Sequence, residues 1–473
     1  MASAELISNK MTTQNFIRIL CLLMTLIVAF VAVSIGVSGI ALLYAIPIAL
    51  LLVGLIAKKP TYSLHFALVA GFFAAGSSRY ISAPTGLMID LILALGLVLA
   101  LSKREKTTSN VSVWLIVLFG GWMALTLLQL GNPEARSTVA WFYAMRGVAL
   151  YPFLICLIGY LLSPNPEFFN RFWSWWAALS VLSSLWGLKQ LAIGLDPFET
   201  AWLSQPGNLS THMLFGKLRV FSFLSDSGQF GAAQGHMLVF AGILSLSNRP
   251  KSIRLVWAII AALSLIGLLI SGTRGAMAVP AFGGLAYLIL CKNWKLLFVG
   301  LIVMGSTYGV LRYTFIANEI YEVRRMRMAV IEGSDNASFQ VRRTNQKRLS
   351  IYLKNRPFGG GIGSAGYWGG RFSSGTFLAE LALDSWYVKI WAEYGITGLI
   401  SYLLMLGGLV FFSLKTLLRE QDPYLRQTML AAFCGLIGIL AASYGNQVFG
   451  QIPTGVIVPV SLIFLVRNPD SKA

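Results

Sequence analysis

Apolar runs long enough to cross a bilayer recur along almost the whole chain. They fall at roughly 16–35, 39–57, 61–77, 86–102, 111–130, 147–162, 172–194, 229–247, 253–271, 276–291, 294–312, 396–416, 428–446 and 452–466. About twenty apolar residues in a helix match the hydrocarbon thickness. The spacing therefore predicts an all-α, polytopic membrane helix bundle of about fourteen transmembrane helices, some near the lower length limit. Composition agrees: 56% of residues are hydrophobic, 12% are charged, and mean hydropathy is +0.71. A soluble core does not need that much apolar residue. The first run is too long for a signal-peptide core and lacks a convincing small-residue cleavage site, so it is read as a retained anchor.

Charge placement orients the bundle. With the N-terminus inside, the inner loops carry Lys58 and Lys59, then Lys103, Arg104 and Lys106, then Arg171, then Arg249, Lys251 and Arg254. Lys292 and Lys295 follow, then Lys415, Arg419 and Arg426, and finally Arg467 and Lys472. Every short basic loop falls on one side, as the positive-inside rule requires. Both termini are expected in the cytoplasm.

Three sizeable segments then face outward, at roughly 131–146, 195–228 and 313–395. The division expected is a membrane bundle over 1–312 with the outward loop 195–228, an extracytoplasmic basic loop subdomain over 313–395, and C-terminal membrane helices over 396–473. No internal repeat or low-complexity tract interrupts it. The long segment carries Arg324, Arg325, Arg327, Arg342, Arg343, Lys347, Arg348, Lys354, Arg356 and Arg371 against Glu319, Glu322, Glu332, Asp335, Glu380 and Asp384. Long loops are usually functional. An excess of cations on the outer side is either a solvated face or a binding surface for anions, and the second is favoured here. Within it, 338–355 reads as a surface helix stopping before Pro357. Val341, Leu349, Tyr352 and Leu353 share one face, an interfacial amphipathic pattern.

Four short segments carry chemistry. Arg274 lies between Gly272 and Gly275 where one apolar run ends and the next begins, with Ser271 and Thr273 adding hydroxyls. An arginine there either snorkels to headgroups or meets an anion. Arg219 stands in a long loop just before a membrane helix. Asp226, seven residues on, is read as that helix's N-cap. The run Arg356 to Ser364 holds Gly359, Gly360, Gly361 and Gly363, whose amides can face one anion as a nest. It does not match a nucleotide P-loop. Asp384, Ser385, Trp386 and Tyr387 open a short helix leading into the membrane. Asp384 is either that helix's cap or a carboxylate able to take a proton from a hydroxyl. Arg79, Asp90, Arg146, Lys189 and Glu393 also lie in or near apolar runs, where structural pairing is the favoured reading. Arg79 with Asp90 is the expected pair, and Arg146 is a further candidate for the site.

The four cysteines are far apart in apolar surroundings with no CxxC, and the three histidines form no ligand pattern. With no DxD pair either, no metal and no cofactor are expected.

The order of these segments resembles the O-antigen ligase and polysaccharide polymerase superfamily over roughly 215–400. Arg219 matches an outward arginine before a central helix. Ser271 to Gly275 matches a Ser-x-[ST]-Arg-Gly element. Arg342 matches an arginine opening a helix that ends at Pro357, Phe358 and the following glycines. Ligases of the family usually show His-Asn-x-Tyr where this chain has Asp384, Ser385, Trp386 and Tyr387. The missing histidine favours a polymerase of O-antigen, capsule or exopolysaccharide over a ligase. A polysaccharide flippase and a non-catalytic assembly protein are the other classes.

The resemblance implies undecaprenyl-diphosphate-linked glycans as donor and acceptor, membrane lipids as neighbours, and a chain-length regulator and a flippase as partners. It implies no nucleic acid. It also implies metal-independent transfer at the periplasmic face of a bacterial inner membrane, and with one base and direct displacement the anomeric centre is expected to invert. Asp384, Arg274 and Arg219 are then the catalytic candidates. Arg342, Arg343, Arg348, Gly360, Gly361, Gly363 and Tyr387 are the substrate-binding ones.

Overall fold

The computed structural model describes residues 37–81, 85–103, 109–214, 216–291, 294–316, 318–319, 323–324, 327, 331 and 337–467. The expected anchor at 16–35 and Arg325 lie outside the described residues. The helices are α1 (Val37–Lys58), α2 (Tyr62–Ser77), α3 (Leu87–Ser102), α4 (Val113–Leu128), α5 (Thr138–Met145), α6 (Tyr151–Leu162), α7 (Pro166–Ala192), α8 (Pro197–Leu203) and α9 (Asn208–His212). After a short hairpin of β1 (Met213–Leu214) and β2 (Lys217–Leu218) come α10 (Ser227–Ser245), α11 (Lys251–Ile270), α12 (Ala278–Leu290) and α13 (Trp294–Tyr313). The chain continues with α14 (Ala337–Leu353), α15 (Gly366–Phe372), α16 (Phe377–Glu380), α17 (Trp386–Arg419), α18 (Pro423–Ala442) and α19 (Thr454–Leu465). The apolar runs after the first coincide with helices.

Among the described residues, five spans are long and apolar enough to cross a membrane: Val113–Gly131, Thr138–Leu162, Lys251–Ile270, Trp386–Arg419 and Pro423–Ala442. A sixth is α7 with α8, bent by 83° at the break between them. Others, such as Tyr62–Ser77, Leu87–Ser102 and Thr454–Leu465, are apolar but shorter. Leu255, Val256 and Ile259 of α11 and Ile400, Leu403 and Leu404 of α17 are exposed. Such apolar surface is tolerated where lipid is the solvent. The chain is a multi-pass, all-α membrane protein.

The chain divides at Tyr62. In the first unit the described element is α1, with Lys58 in its last turn. The second unit is centred on α10, which is buried from Ser227 to Ala241 apart from Gly228 and Leu238. A helix buried nearly all round is a bundle core. Small residues let its neighbours approach closely, as in other membrane bundles. A Cβ on Gly283 would lie 2.8 Å from the Cys434 carbonyl, and one on Gly235 would lie 3.1 Å from the Val279 side chain.

One span is irregular for an electrostatic reason. Between α5 and α6, Arg146–Leu150 form a π turn. That extra residue brings Arg146 and Tyr151 to the same side, where Arg146 Nε donates to the Tyr151 hydroxyl at 2.9 Å and to Asp90 Oδ1 at 3.0 Å. Arg146 Nη2 also donates to the Gly86 carbonyl at 3.0 Å. A buried arginine so engaged is a structural device. This corrects the expected Arg79–Asp90 pair, and it gives Arg146 a partner within the bundle.

Candidate functional site

Arg219 is placed by a densely hydrogen-bonded loop. Glu199 of α8 is buried, and it accepts from Trp186 Nε1 at 2.9 Å, Lys189 Nζ at 3.1 Å and Gln190 Nε2 at 2.7 Å. Gln190 also grips the backbone of Ser222, accepting from its N–H at 2.8 Å and donating to its carbonyl at 3.1 Å. Arg79 lies over the rings of Trp202 and Phe221 at 4.3 and 4.5 Å and donates to the carbonyls of Ser222 and Leu224. Burial lowers its pKa to about 10, against the pull of Glu199, so it remains a cation at neutral pH. On this frame the hairpin delivers Arg219. Its Nη1 donates to the Thr211 carbonyl at 2.9 Å, and its Nη2 donates to Thr273 Oγ1 at 2.7 Å.

Thr273 belongs to the turn after α11. Ser271 Oγ donates to the Leu268 carbonyl at 2.7 Å and accepts from the Thr273 amide at 3.2 Å. Thr273 Oγ1 in turn donates to the Ser227 carbonyl at 3.0 Å. Gly272 takes the left-handed conformation, at φ 56°, that reverses the chain. Arg274 follows at the head of a 3-10 turn, half-buried, with no side-chain hydrogen bond or ion pair among the described residues. Arg219 thus reaches the residue adjacent to Arg274. Asp226 accepts from the Gln229 amide at 2.9 Å, the N-cap expected of it.

A second group forms where α14 meets the strap before α17. Arg342 Nε donates to Asp384 Oδ2 at 2.8 Å, and both side chains are exposed. The cap of α17 is Ser385, which accepts from the Val388 amide at 3.4 Å. Asp384 therefore stands outside the helix with its carboxylate turned to Arg342. The strap is fixed from both sides: Asn345 donates to the Ala382 carbonyl at 3.0 Å, Gln447 donates to the Leu383 carbonyl, and the Trp386 amide donates to the Ser443 carbonyl at 2.9 Å. A cavity of about 270 Å³ lies between them, lined by Arg342, Arg343, Asn345, Gln346, Asp384, Ser385 and Tyr444 among others.

The two groups share a neighbour. The turn after α18 holds the Asp384 strap through Ser443 and Gln447, and its Asn446 abuts Gly275, where a Cβ would lie 2.5 Å from Asn446 Nδ2. In the sequence this turn is marked only by the polar cluster Gly445, Asn446 and Gln447 between two apolar runs.

Other expectations are corrected. The apolar residues of α14 do not form one lipid-facing stripe. Leu349 and Leu353 are buried against Leu378, Leu381, Leu383 and Ala392, while Val341 is exposed. The glycines after Pro357 do not present a free nest. The Gly360 and Gly361 amides donate to the carbonyls of Ala392 and Glu393 at 2.9 and 3.0 Å. Gly361 and Gly363 adopt φ of 88° and 79° and press against Ala135 and Ala140. Close packing on the kink at Gly395 spends them. Glu393 is sealed beneath, its carboxylate against the Gly363 and Ala365 amides but short of hydrogen-bond geometry. Tyr387 donates to the Leu440 carbonyl at 2.7 Å, tying α17 to α18. Arg348 is exposed over the Phe377 ring, whereas Arg343 lines the cavity.

Among the described residues no group of three His, Cys, Asp or Glu side chains is arranged to hold a metal ion. No curated protein matches the chain. Residues 259–403 match the family described as O-antigen ligase, a stretch that contains Arg274, Arg342 and Asp384. The match implies an enzyme of the glycosyltransferase kind acting on lipid-linked glycans. On that match, the chain is a multi-pass membrane protein with a stretch, residues 259–403, that is similar to the O-antigen ligase family.

Proposed function

We propose that this protein polymerises undecaprenyl-diphosphate-linked oligosaccharide repeat units into a cell-surface polysaccharide, O-antigen, capsule or exopolysaccharide, by inverting, metal-independent transfer. The observation that carries the reading is the contact of Arg219 with Thr273, which sets one arginine beside another, Arg274, at the end of an apolar helix. A diphosphate leaving group needs charge stabilisation more than a proton donor. Forked, charge-assisted contacts from two arginines supply it. The acceptor hydroxyl oxygen bonds the anomeric carbon as the bond from that carbon to the diphosphate oxygen breaks. The hydroxyl proton passes to Asp384, and the diphosphate leaves on Arg219 and Arg274.

The site then lies on the periplasmic face of the inner membrane, in a bundle of about fourteen spans with both termini cytoplasmic. The outward loop 195–228 and the subdomain 313–395 form its roof, and a chain-length regulator and a flippase are its partners. The ligase alternative draws on the family description itself, O-antigen ligase. Asp384 in place of the ligase histidine weighs against it. Purified protein given a defined undecaprenyl-diphosphate oligosaccharide should yield a ladder of multiples. Transfer to lipid A core alone, with no ladder, would establish the ligase instead.

A further inference from the structure

We propose that the cavity beside Arg342 and Asp384 receives the terminal sugar of the acceptor glycan, with Tyr444 and Gln346 selecting it, and that Arg342 serves the acceptor and not the diphosphate. The inference rests on the glycosyltransferase reading above and assigns one of its substrates to a place.

Charge does not call for a dianion here. Arg342 is engaged with Asp384 at 2.8 Å, which leaves Arg343 as the lining's one cation outside that pair, against the two arginines at the Arg219–Arg274 turn. An uncharged polyol needs no countercharge. The size agrees: about 270 Å³ falls just below the ~300–1,000 Å³ of drug-sized sites, which suits one ring-sized unit.

The lining has the chemistry a sugar needs. Asn345 is committed to the Ala382 carbonyl and acts as wall. Gln346, half-buried, has no side-chain hydrogen bond among the described residues and offers both a donor and an acceptor. Tyr444 is 66% exposed. Its ring offers an apolar face for the C–H side of a pyranose, and its phenol offers a polar tip. Tyr143, Trp368 and Phe372, by contrast, stack on one another.

Position completes the case. Tyr444 walls the cavity, and Asn446, two residues on, abuts Gly275 beside Arg274. One turn therefore touches both the acceptor cavity and the diphosphate-gripping turn. A sugar seated against Tyr444 has Asp384 at its edge, where a hydroxyl can lose its proton.

The test uses the full-length protein in lipid nanodiscs, a synthetic undecaprenyl-diphosphate oligosaccharide as donor, and the same oligosaccharide without lipid as acceptor. Tyr444→Ala and Gln346→Ala should each raise the acceptor KM about tenfold, the loss of roughly one good contact. Donor-lipid Kd should stay at the wild-type value, which also reports that each variant is folded. Tyr444→Phe keeps the ring face and should restore most of the acceptor affinity. Unchanged acceptor KM in both alanine variants, or a weakened donor Kd in their place, overturns this proposal alone. A wild-type protein that binds donor and transfers it to no glycan overturns the glycosyltransferase reading and this proposal with it.

Discussion

Arg219 and Thr273, fifty-four positions apart, are joined by a 2.7 Å hydrogen bond from guanidinium to hydroxyl. The bond ties the loop before α10 to the turn that carries Arg274. Arg219 uses separate nitrogens for Thr211 and Thr273, which a lysine ammonium cannot reach in the same planar fork. Arg219→Lys should therefore weaken donor-lipid binding by about tenfold or more. Arg274→Ala should damage binding and turnover together. Scintillation binding of labelled donor lipid decides it, and wild-type affinity in Arg219→Lys would remove the fork from the argument.

The same loop should be sensitive to acid. His212 is packed between the rings of Trp202 and Phe221, and burial lowers its pKa below the ordinary value. A histidine kept neutral when folded favours the open state once pH falls below its unfolded value of about 6.5. The stability it contributes is present above that pH and is lost on acidification. Hydrogen exchange across 208–218 should be faster at pH 5.5 than at pH 7.5, and His212→Gln should flatten the difference. Equal exchange at both pH values in the wild-type protein would contradict this.

The bundle was largely legible in the sequence because a spanning helix needs a long apolar run, and such runs leave little ambiguity. The π turn at Arg146 was not legible, since its cause is an ion pair with Asp90, far away in sequence. The residue types of the candidate site stood out in the sequence, and their wiring did not. Glycine strings look alike whether they cradle a ligand or pack on a kink, and here Gly360 and Gly361 pack on α17. Asp384 and Ser385 are both good N-caps by type. The choice is made by tertiary anchoring of Trp386 to Ser443.

Because the Gly-rich loop is a packing device, its substitution should cost stability first. A Cβ on Gly359 would lie 2.6 Å from the Glu393 carbonyl, and Gly359 already has φ of 76°. Gly359→Ala should lower thermal stability by at least about 1–3 kcal/mol through strain and overpacking. Among molecules that remain folded, donor affinity should be unchanged. A stable Gly359→Ala protein with weak donor binding would restore the loop as an anion site.

Topology can be checked independently of activity. In a background without native cysteines, Ser374→Cys in the exposed turn after α15 should react with an impermeant maleimide from the periplasm. Lys59→Cys, in the basic loop after α1, should react after the membrane is opened. Labelling of Ser374→Cys from the cytoplasm alone would place the Arg342–Asp384 group on the wrong side for periplasmic transfer.

The neighbours Asp384 and Ser385 should separate chemistry from folding. Ser385 caps α17, so Ser385→Ala should cost about 1 kcal/mol of stability while leaving the rate per folded molecule nearly intact. Asp384 caps nothing, and its exposed pair with Arg342 contributes little to stability. Asp384→Asn should accordingly melt like the wild type. If its carboxylate receives the acceptor proton, turnover should fall about 10²-fold or more, in the range of a lost general base, with donor-lipid binding preserved. Asparagine keeps the shape and one acceptor oxygen for Arg342, so the comparison removes basicity without emptying the place. Thermal melts, donor binding and turnover measured on both variants separate the two roles. Full activity in Asp384→Asn would pass the proton to water, to the departing diphosphate or to another group, and would leave Asp384 as a partner that holds Arg342 at the cavity.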